Sequence, residues 1–360
     1  MKMKKVSVVV PCFNATAYLD NCMEHLLCQT IESDSLEIIL VDDASTDGGA
    51  TWNMITRYEQ QYPETIIAIQ LEKNLRQGGA RNVGISYASG RYLFFCDADD
   101  WIAPHALEHL YTVAMEYNAD VVEFRHEIVW QLPDQKEVRM EAKQHYAAGK
   151  EIPIRKNCLR EIKTEEDRRG IVYQTDEYYT LGCWNKMYRL SMIQEHNIRF
   201  AEQLICEEPS FTLPVRYYVE RHYLLDEVLY YYYQSPGSTV RSKWGARRWD
   251  SSKVWLHTYE ELSERNLISI CYQELAYLFV LYYMGMSLSI WCQQGTEILQ
   301  DELVILQDTL FKLFPDILSN QYWKKDNTWN QILFSILQIE ITQESTTMIN
   351  QILKKHLLGE

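Results

Sequence analysis

The sequence predicts an α/β fold: a mostly parallel sheet with helices on both faces, followed by a helical C-terminal region. Three observations predict it. From Val6 to Val129, short apolar runs alternate with stretches of helical periodicity, and strand–helix–strand alternation builds parallel sheets covered on both faces. The early runs are short, β-branched and mostly apolar, as strands buried on both sides require. Polar motifs rich in Asp, Asn and Gly follow the runs at their carboxyl ends, which is where open α/β sheets bind ligands.

Taken in order, Val6–Val10 is the first strand, and Asn14 is placed to cap a helix carrying Leu19, Met23, Leu26 and Leu27. Leu36–Val41 is the second strand. The turn residues 43–49 (DASTDGG) lead into a helix that Pro63 ends. Ile66–Leu71 is the third strand, and Gly79 to Ala88 reads as a helix closed by Gly90. Arg91–Cys96 is the fourth strand and delivers the stretch FFCDADDW. Pro104 opens a helix to about Tyr117, and Val121–Val129 is the fifth strand. Residues 131–180 are polar and weakly periodic, as in an insertion over a site. Trp184–His196 reads as helical, and Tyr230–Tyr233 as the last strand. After about Ser242 the pattern is helical to the end. The expected division is a catalytic domain over residues 1–238 and a helical domain over 239–360, in keeping with roughly 150 residues per domain.

Bulk properties exclude some classes. The 360 residues carry 35 basic and 50 acidic side chains, a formal charge of −15, which argues against a nucleic-acid partner. Nine cysteines, an odd number with no C-x-x-C, read as free thiols of a reducing compartment. The basic N-terminus runs into only the short stretch Val6–Val10, four valines and a serine, before Pro11, too little for a signal peptide. The charge-free stretch Leu275–Cys292 reaches the lower limit of a membrane span. Gly285, its three tyrosines and the preceding Gln273 and Glu274 favour a buried helix of a C-terminal bundle over a helix at a membrane surface. The location expected is the cytoplasm, with a peripheral membrane contact as the variant.

Several residues can carry chemistry. Asp97-x-Asp99 at a strand end offers two carboxylates to one hard divalent cation, Mn2+ or Mg2+, which relieves their mutual repulsion and leaves room for phosphate oxygens. Read blandly, the cluster is helix-capping chemistry before Pro104. Asp42 and Asp43 can accept hydrogen bonds from a nucleobase or ribose, and Phe13 can supply a stacking face. Equally, they can be turn carboxylates and a core phenylalanine. In the segment Asn74-Leu75-Arg76-Gln77-Gly78-Gly79-Ala80-Arg81-Asn82, the glycines allow a tight turn and close backbone approach. The following helix aims N–H groups at an anion, and Arg76 and Arg81 add charge. A glycine turn with solvated arginines is the bland alternative. No Walker A pattern occurs. Glu207 and Glu208 form a second acidic pair, readable also as first-turn helix residues.

Together, VSVVVPCFNATAYL, LEIILVDDASTDGG, NLRQGGARNVGISYASGRYLFFCDADDW, CWNKMYRLSMI and FAEQLICEEPSF resemble a family 2 glycosyltransferase, over residues 5–235 and in the family's order and spacing. The resemblance implies the glycosyltransferase A fold and an inverting, metal-dependent transfer from a nucleotide sugar. It implies that Pro11, Phe13, Asn14 and Asp43, with Asp42 beside it, hold the base, usually uracil. It implies that Asn74, Arg76, Gly78, Gly79 and Arg81 line the nucleotide site, with Arg76 replacing the family's early glycine. Asp97, Ala98 and Asp99 correspond to the family's D-A-D, Asp99 as direct metal ligand and Asp97 as ribose or second metal contact. The family's catalytic aspartate corresponds to Glu208, one methylene longer, with Glu207 before it.

The reaction expected is an in-line displacement onto an acceptor hydroxyl of a glycan, polysaccharide or lipid-linked acceptor. A nucleotidyltransferase and a catalytically inactive nucleotide-sugar-binding scaffold are the rival readings. Arg241, Lys243, Trp244, Arg247, Arg248 and Trp249 form a basic–aromatic cluster. It reads either as a contact to an anionic acceptor or membrane, or as a linker whose tryptophans cover a junction. The C-terminal helices are candidates for pairing with another subunit or enzyme.

Overall fold

The computed structural model describes residues 4–130, 132, 157–173, 180–234, 245–323 and 327–359. Most of the polar 131–180 segment and residues 241–244 of the basic–aromatic cluster therefore lie outside the described residues. The described residues form two compact units: those within 1–167, 174–203 and 207–241, and those within 168–173, 204–206 and 242–360.

The first unit is built on one sheet of β1 (Val6–Cys12), β2 (Leu36–Asp42), β3 (Ile66–Gln70), β4 (Tyr92–Phe95), β5 (Trp101–Ile102), β6 (Val121–Val129), β7 (Cys158–Glu161), β8 (Lys186–Arg189) and β9 (Arg221–Tyr233). Their order is β3-β2-β1-β4-β8-β6-β9-β5, with β7 also paired to β9. The first four strands run parallel, Val8 facing Ile38 on one side and Phe94 on the other. β8 lies antiparallel between β4 and β6, and β9 is parallel to β6. Chain order reverses direction between β1 and β4, and such a switch point opens a crevice at the carboxyl ends of the strands.

Helices α1 (Leu19–Leu27), α2 (Ala50–Gln61), α3 (Arg76–Tyr87), α4 (Ala106–Glu116), α5 (Glu165–Tyr173), α6 (Leu190–Glu195) and α7 (Glu208–Tyr218) follow in chain order. Alternation divides the strand residues between two faces. Val8, Val10, Ile38, Leu40 and Phe94 share a core with Leu19, Met23 and Leu26 of α1, Ile55 of α2 and Leu107 and Leu110 of α4. On the opposite face, Phe95 packs edge-on against Phe200 and Phe211, each at 5.4 Å. There a Cβ on Gly84 would fall 2.3 Å from Val9, so α3 needs a glycine to lie this close to β1.

Local differences from the sequence reading have physical causes. Asn14 does not cap α1, whose N-cap is Tyr18 without a side-chain bond. Asn14 instead adopts φ of 51° and exchanges hydrogen bonds with Ser45 and Thr46. Asparagine tolerates this left-handed backbone better than most residues. The first half of Trp184–His196 is strand β8, because Lys186 and Tyr188 pair with Glu123 and Val121 across the sheet. Tyr230–Tyr233 is the end of a 13-residue strand. Strands β5 and β7 and helix α5 were too short or too polar to show as periodic runs.

The second unit is helical. After a 3-10 turn at Gly245–Arg247 come α8 (Asp250–Glu264), α9 (Tyr272–Leu278), a π-helical stretch at Phe279–Met286, α10 (Ser287–Gln293), α11 (Gln300–Leu313), α12 (Thr328–Gln338) and α13 (Gln343–Leu358). Among the described residues one helical stretch, Ile268–Gln293, is long and apolar enough to cross a membrane, with mean hydropathy 1.6, and 72% of its apolar window is buried inside the structure. Leu275, Leu278, Phe279, Val280, Met284, Leu288 and Trp291 are all core residues, as expected of a buried helix. Arg248 stacks on Trp291 at 4.5 Å and pairs with Glu302 at 2.7 Å, and Trp249 meets the same ring at 4.8 Å. This part of the basic–aromatic cluster is committed to packing within the unit.

Candidate active site

The parallel strands β1, β2 and β4 end together, Cys12 opposite Asp42, and the Cys96 N–H donates to the Val9 carbonyl at 3.1 Å. Pro11 is buried within β1, opposite Val41. Just beyond, Phe13 is 44% exposed, an unusual setting for a phenylalanine and one that leaves its ring available to a ligand. Asp42 accepts from the Ser45 N–H at 3.1 Å and the Gln70 side chain at 3.2 Å. Asp43 accepts from the Leu75 N–H at 2.6 Å, while its carbonyl receives the Asn74 side chain at 3.0 Å. Burial raises the Asp43 pKa, and the Leu75 and Arg76 N–H groups oppose that rise. These bonds tie the β2 end to the glycine-bearing loop.

Arg76 has φ of 65°. An L-residue with a side chain pays roughly 1–2 kcal/mol for that backbone, so the turn needs a glycine-like conformation although arginine stands there. Gly78 is a close-approach position: a Cβ there would lie 2.4 Å from the Ala201 carbonyl and 2.7 Å from Cγ of Glu207. Gly79 would meet Leu75 at 2.3 Å in the same way.

The three crowded carboxylates after β4 separate into three environments. Asp97 is half-buried and its Oδ1 lies 2.6 Å from Nη2 of Arg81. Asp99, beyond the buried Ala98, is half-buried. Asp100 is fully buried, accepting the Tyr230 hydroxyl at 2.6 Å and the Tyr233 N–H at 2.7 Å, both from β9. Burial raises the Asp100 pKa well above the usual carboxylate range, and the charges of Asp99 and Asp97 add to it. The Tyr230 hydroxyl also accepts the Asp97 N–H at 3.1 Å, so β9 fixes the turn from below.

Arg81, on α3, is only 1% exposed. Its guanidinium spans two carboxylates from distant parts of the chain, Nη2 on Asp97 and Nη1 on Glu207. Phe200 lies 5.4 Å beneath the guanidinium. Glu207 is the buried N-cap residue of α7, and burial pushes its carboxyl up to about 7 against the pull of Arg81. Glu208, the first residue of α7, is half-buried, and its Oε1 accepts the Cys183 N–H at 2.8 Å. Burial raises its pKa too; Arg81 and the Cys183 N–H act the other way. The helix N-terminus further favours the charged form. The arrangement thus brings an acidic turn, a shared arginine and two carboxylates of raised pKa to one end of the sheet, the kind of setting in which proton transfer is tuned.

Sequence reading passed over Tyr230, Cys183 and Lys186 as site-building residues and gave Asp100 no role beyond the crowded acidic stretch, since what each does depends on a partner on another element. Burial of Arg81 had no sequence signal. Among the described residues no cluster of three or more His, Cys, Asp or Glu is arranged to hold a metal by itself. The donor set is nevertheless chemically suited to a hard cation that takes only part of its shell from protein: the Asp99 and Asp97 carboxylates could offer oxygen donors, with phosphate oxygens and water able to complete the shell.

Residues 7–164 match the family model described as glycosyl transferase family 2. TarP of Staphylococcus aureus, a poly(ribitol-phosphate) beta-N-acetylglucosaminyltransferase, is 38% identical over 121 residues, which are 33% of this chain and 36% of TarP. A poly(ribitol-phosphate) beta-glucosyltransferase of Bacillus spizizenii is 27% identical over 213 residues, 58% of this chain and 29% of the relative. The chain spans about a third of the length of these curated relatives. A crystal structure of S. aureus TarS with UDP superimposes with a TM-score of 0.65 at 20% identity, covering 99% of this chain and 92% of the other. That likeness establishes the fold as glycosyltransferase A with a helical C-terminal region. The matched residues include the ends of β1, β2 and β4, where the carboxylates and the glycine-bearing loop meet, and it is over this part, residues 7–164, that the chain is similar to glycosyl transferase family 2.

Proposed function

We propose that the chain is an inverting glycosyltransferase that moves a sugar from a UDP-sugar to a hydroxyl of a glycan, polysaccharide or lipid-linked acceptor. One observation carries the reading: Arg81 joins Asp97 of the β4 turn to Glu207 of α7, so the donor-side and acceptor-side carboxylates occupy one locus, with Glu208 beside them. The UDP preference is supported by the ligands of a related fold, UDP and UDP-GlcNAc in TarS. Residues 1–238 are the catalytic domain in this reading, and 239–360 a helical domain available to acceptor or partner subunits.

Phe13 stacks on the base, and Pro11, Asn14, Asp42 and Asp43 shape the base and ribose pocket. Asn74, Arg76, Gly78 and Gly79 face the diphosphate, Arg76 adding charge-assisted bonds. Asp99 and Asp97 would hold Mn2+ or Mg2+, which would supply positive charge to a departing diphosphate. Arg81 fixes Asp97 and Glu207 with respect to each other. Glu208 takes the proton of the acceptor hydroxyl from a hydrogen-bond distance of about 2.6–3.2 Å. The hydroxyl oxygen forms the new bond to the anomeric carbon as the bond to the diphosphate oxygen breaks on the opposite face, and configuration inverts. The enzyme acts in the cytoplasm, where nucleotide sugars are made, with a peripheral membrane contact if the acceptor is lipid-linked.

The test is a panel of UDP- and GDP-sugars with Mn2+, scored by thermal stabilisation and nucleoside diphosphate release. A UDP-sugar is expected to win. Asp99→Ala should abolish metal-dependent turnover, and Glu208→Gln should stop turnover while UDP binding persists. Pyrophosphate release from a nucleoside triphosphate would indicate a nucleotidyltransferase instead, and binding without turnover a scaffold.

A further inference from the structure

The segment 180–185, between the described parts of the chain and β8, is fastened to an unusual degree. Lys186 of β8 is buried, and its Nζ lies 3.1 Å from Oε1 of Glu123, its register partner on β6. The same Nζ donates to the carbonyls of Thr180 at 3.0 Å and Gly182 at 2.7 Å, and to Oδ1 of Asn185 at 2.8 Å. Glu123 also accepts the Thr180 N–H at 3.2 Å, and its second oxygen lies 3.1 Å from Nε2 of the buried His222. From α7, the Thr212 hydroxyl donates to the Leu181 carbonyl at 2.9 Å. The Tyr188 hydroxyl takes the Cys183 carbonyl at 3.0 Å. The outward product of these bonds is one oriented amide, the Cys183 N–H on Glu208 at 2.8 Å.

A buried lysine–glutamate pair is a poor way to stabilise two neighbouring strands, because an apolar pair of the same size does so at least as well. What an ammonium adds is three donors that can gather carbonyls from successive residues into one conformation. We propose that Lys186 is a positioning residue: by gathering the carbonyls of residues 180–185 it fixes the Cys183 amide, and that amide holds the Glu208 carboxylate in its reacting orientation. The proposal rests on the reading of Glu208 as general base. It assigns the WNK part of the sequence a role through Glu208, with no contact to the substrate.

Glu123→Gln/Lys186→Met removes the pair without leaving a lone buried charge. Thr212→Val removes one fastening bond and introduces no charge at all. Hydrolysis of UDP-GlcNAc, or of whichever panel sugar the wild type turns over fastest, is measured with Mn2+ and water in place of the acceptor. The double variant should lose 10- to 100-fold in kcat with KM for the donor and Kd for UDP within twofold of wild type, and Thr212→Val should lose threefold or more in kcat with the same pattern. In a Glu208→Gln background neither change should lower the residual rate further. A folded double variant with wild-type kcat, or losses that multiply with that of Glu208→Gln, overturns the clamp. If Glu208→Gln itself keeps wild-type turnover, the base assignment fails first, and the two failures are thereby told apart.

Discussion

Replacing Arg81 by methionine tests the core of the site directly. Methionine fills similar space but leaves Asp97, 13% exposed, and Glu207, 2% exposed, without their shared cation. At an effective dielectric of about 20, each contact at hydrogen-bond range is worth roughly 4 kcal/mol in Coulomb terms. Desolvation consumes much of that, and breaking a buried pair costs about 3–5 kcal/mol. At roughly 2–4 °C per kcal/mol for a unit of this size, Tm should fall by about 6–20 °C. The loss should depend on pH. Glu207 has a folded pKa of about 7, above the ordinary glutamate value of 4.5, so its contribution to stability is largest below about pH 4.5 and is lost as pH rises through 7. Without Arg81 its pKa moves higher still. Above pH 7 the wild type has finished losing that contribution and the variant has not, so the deficit widens by up to about 1.4 kcal/mol per pH unit. Chemical denaturation of both proteins at pH 6, 7 and 8.5 measures it, and Arg81→Met/Glu207→Gln should recover part of the loss. A deficit below about 1 kcal/mol, or one that is flat across this range, would refute the shared-cation argument.

Two further outcomes follow from single residues. Arg76→Gly relieves about 1–2 kcal/mol of left-handed backbone cost and adds about 0.4–1 kcal/mol of unfolded-state entropy, so stability should stay level or rise by up to about 1.6 kcal/mol. Its UDP affinity, by calorimetry, should drop tenfold or more if the guanidinium meets the diphosphate. Tyr230→Phe strands a buried Asp100 oxygen and the Asp97 N–H; a loss of about 1–3 kcal/mol is expected from denaturant midpoints, and an unchanged midpoint would show that water or rearrangement replaces the hydroxyl.

Much of the first unit was legible because its signals are local. Five apolar runs with turn chemistry after them are enough to specify parallel strands, and parallel strands leave their motifs on one edge. The glycines at 78 and 79 also announced close approach, though not to what. Where the reading went astray, a distant partner overrode a local preference. Asn14 has a good capping side chain but spends it on Thr46, while its backbone N–H donates to the Ser45 hydroxyl. The Trp184–His196 segment has helical spacing, yet Lys186 and Tyr188 complete a sheet.

From the residues alone came the sheet, the crevice at its carboxyl edge, and the crowding of acids at Asp97, Asp99 and Asp100. How those three acids divide their work could not come from there, since they are neighbours of the same type on one turn. It is set by an arginine on α3, which neutralises Asp97 and Glu207 together, and by a tyrosine on β9, which draws Asp100 inward and leaves Asp99 on the half-buried part of the turn. A charge's role depends on its dielectric surroundings and on the counter-charge within a few ångströms, and both are assembled only when elements more than a hundred residues apart pack together.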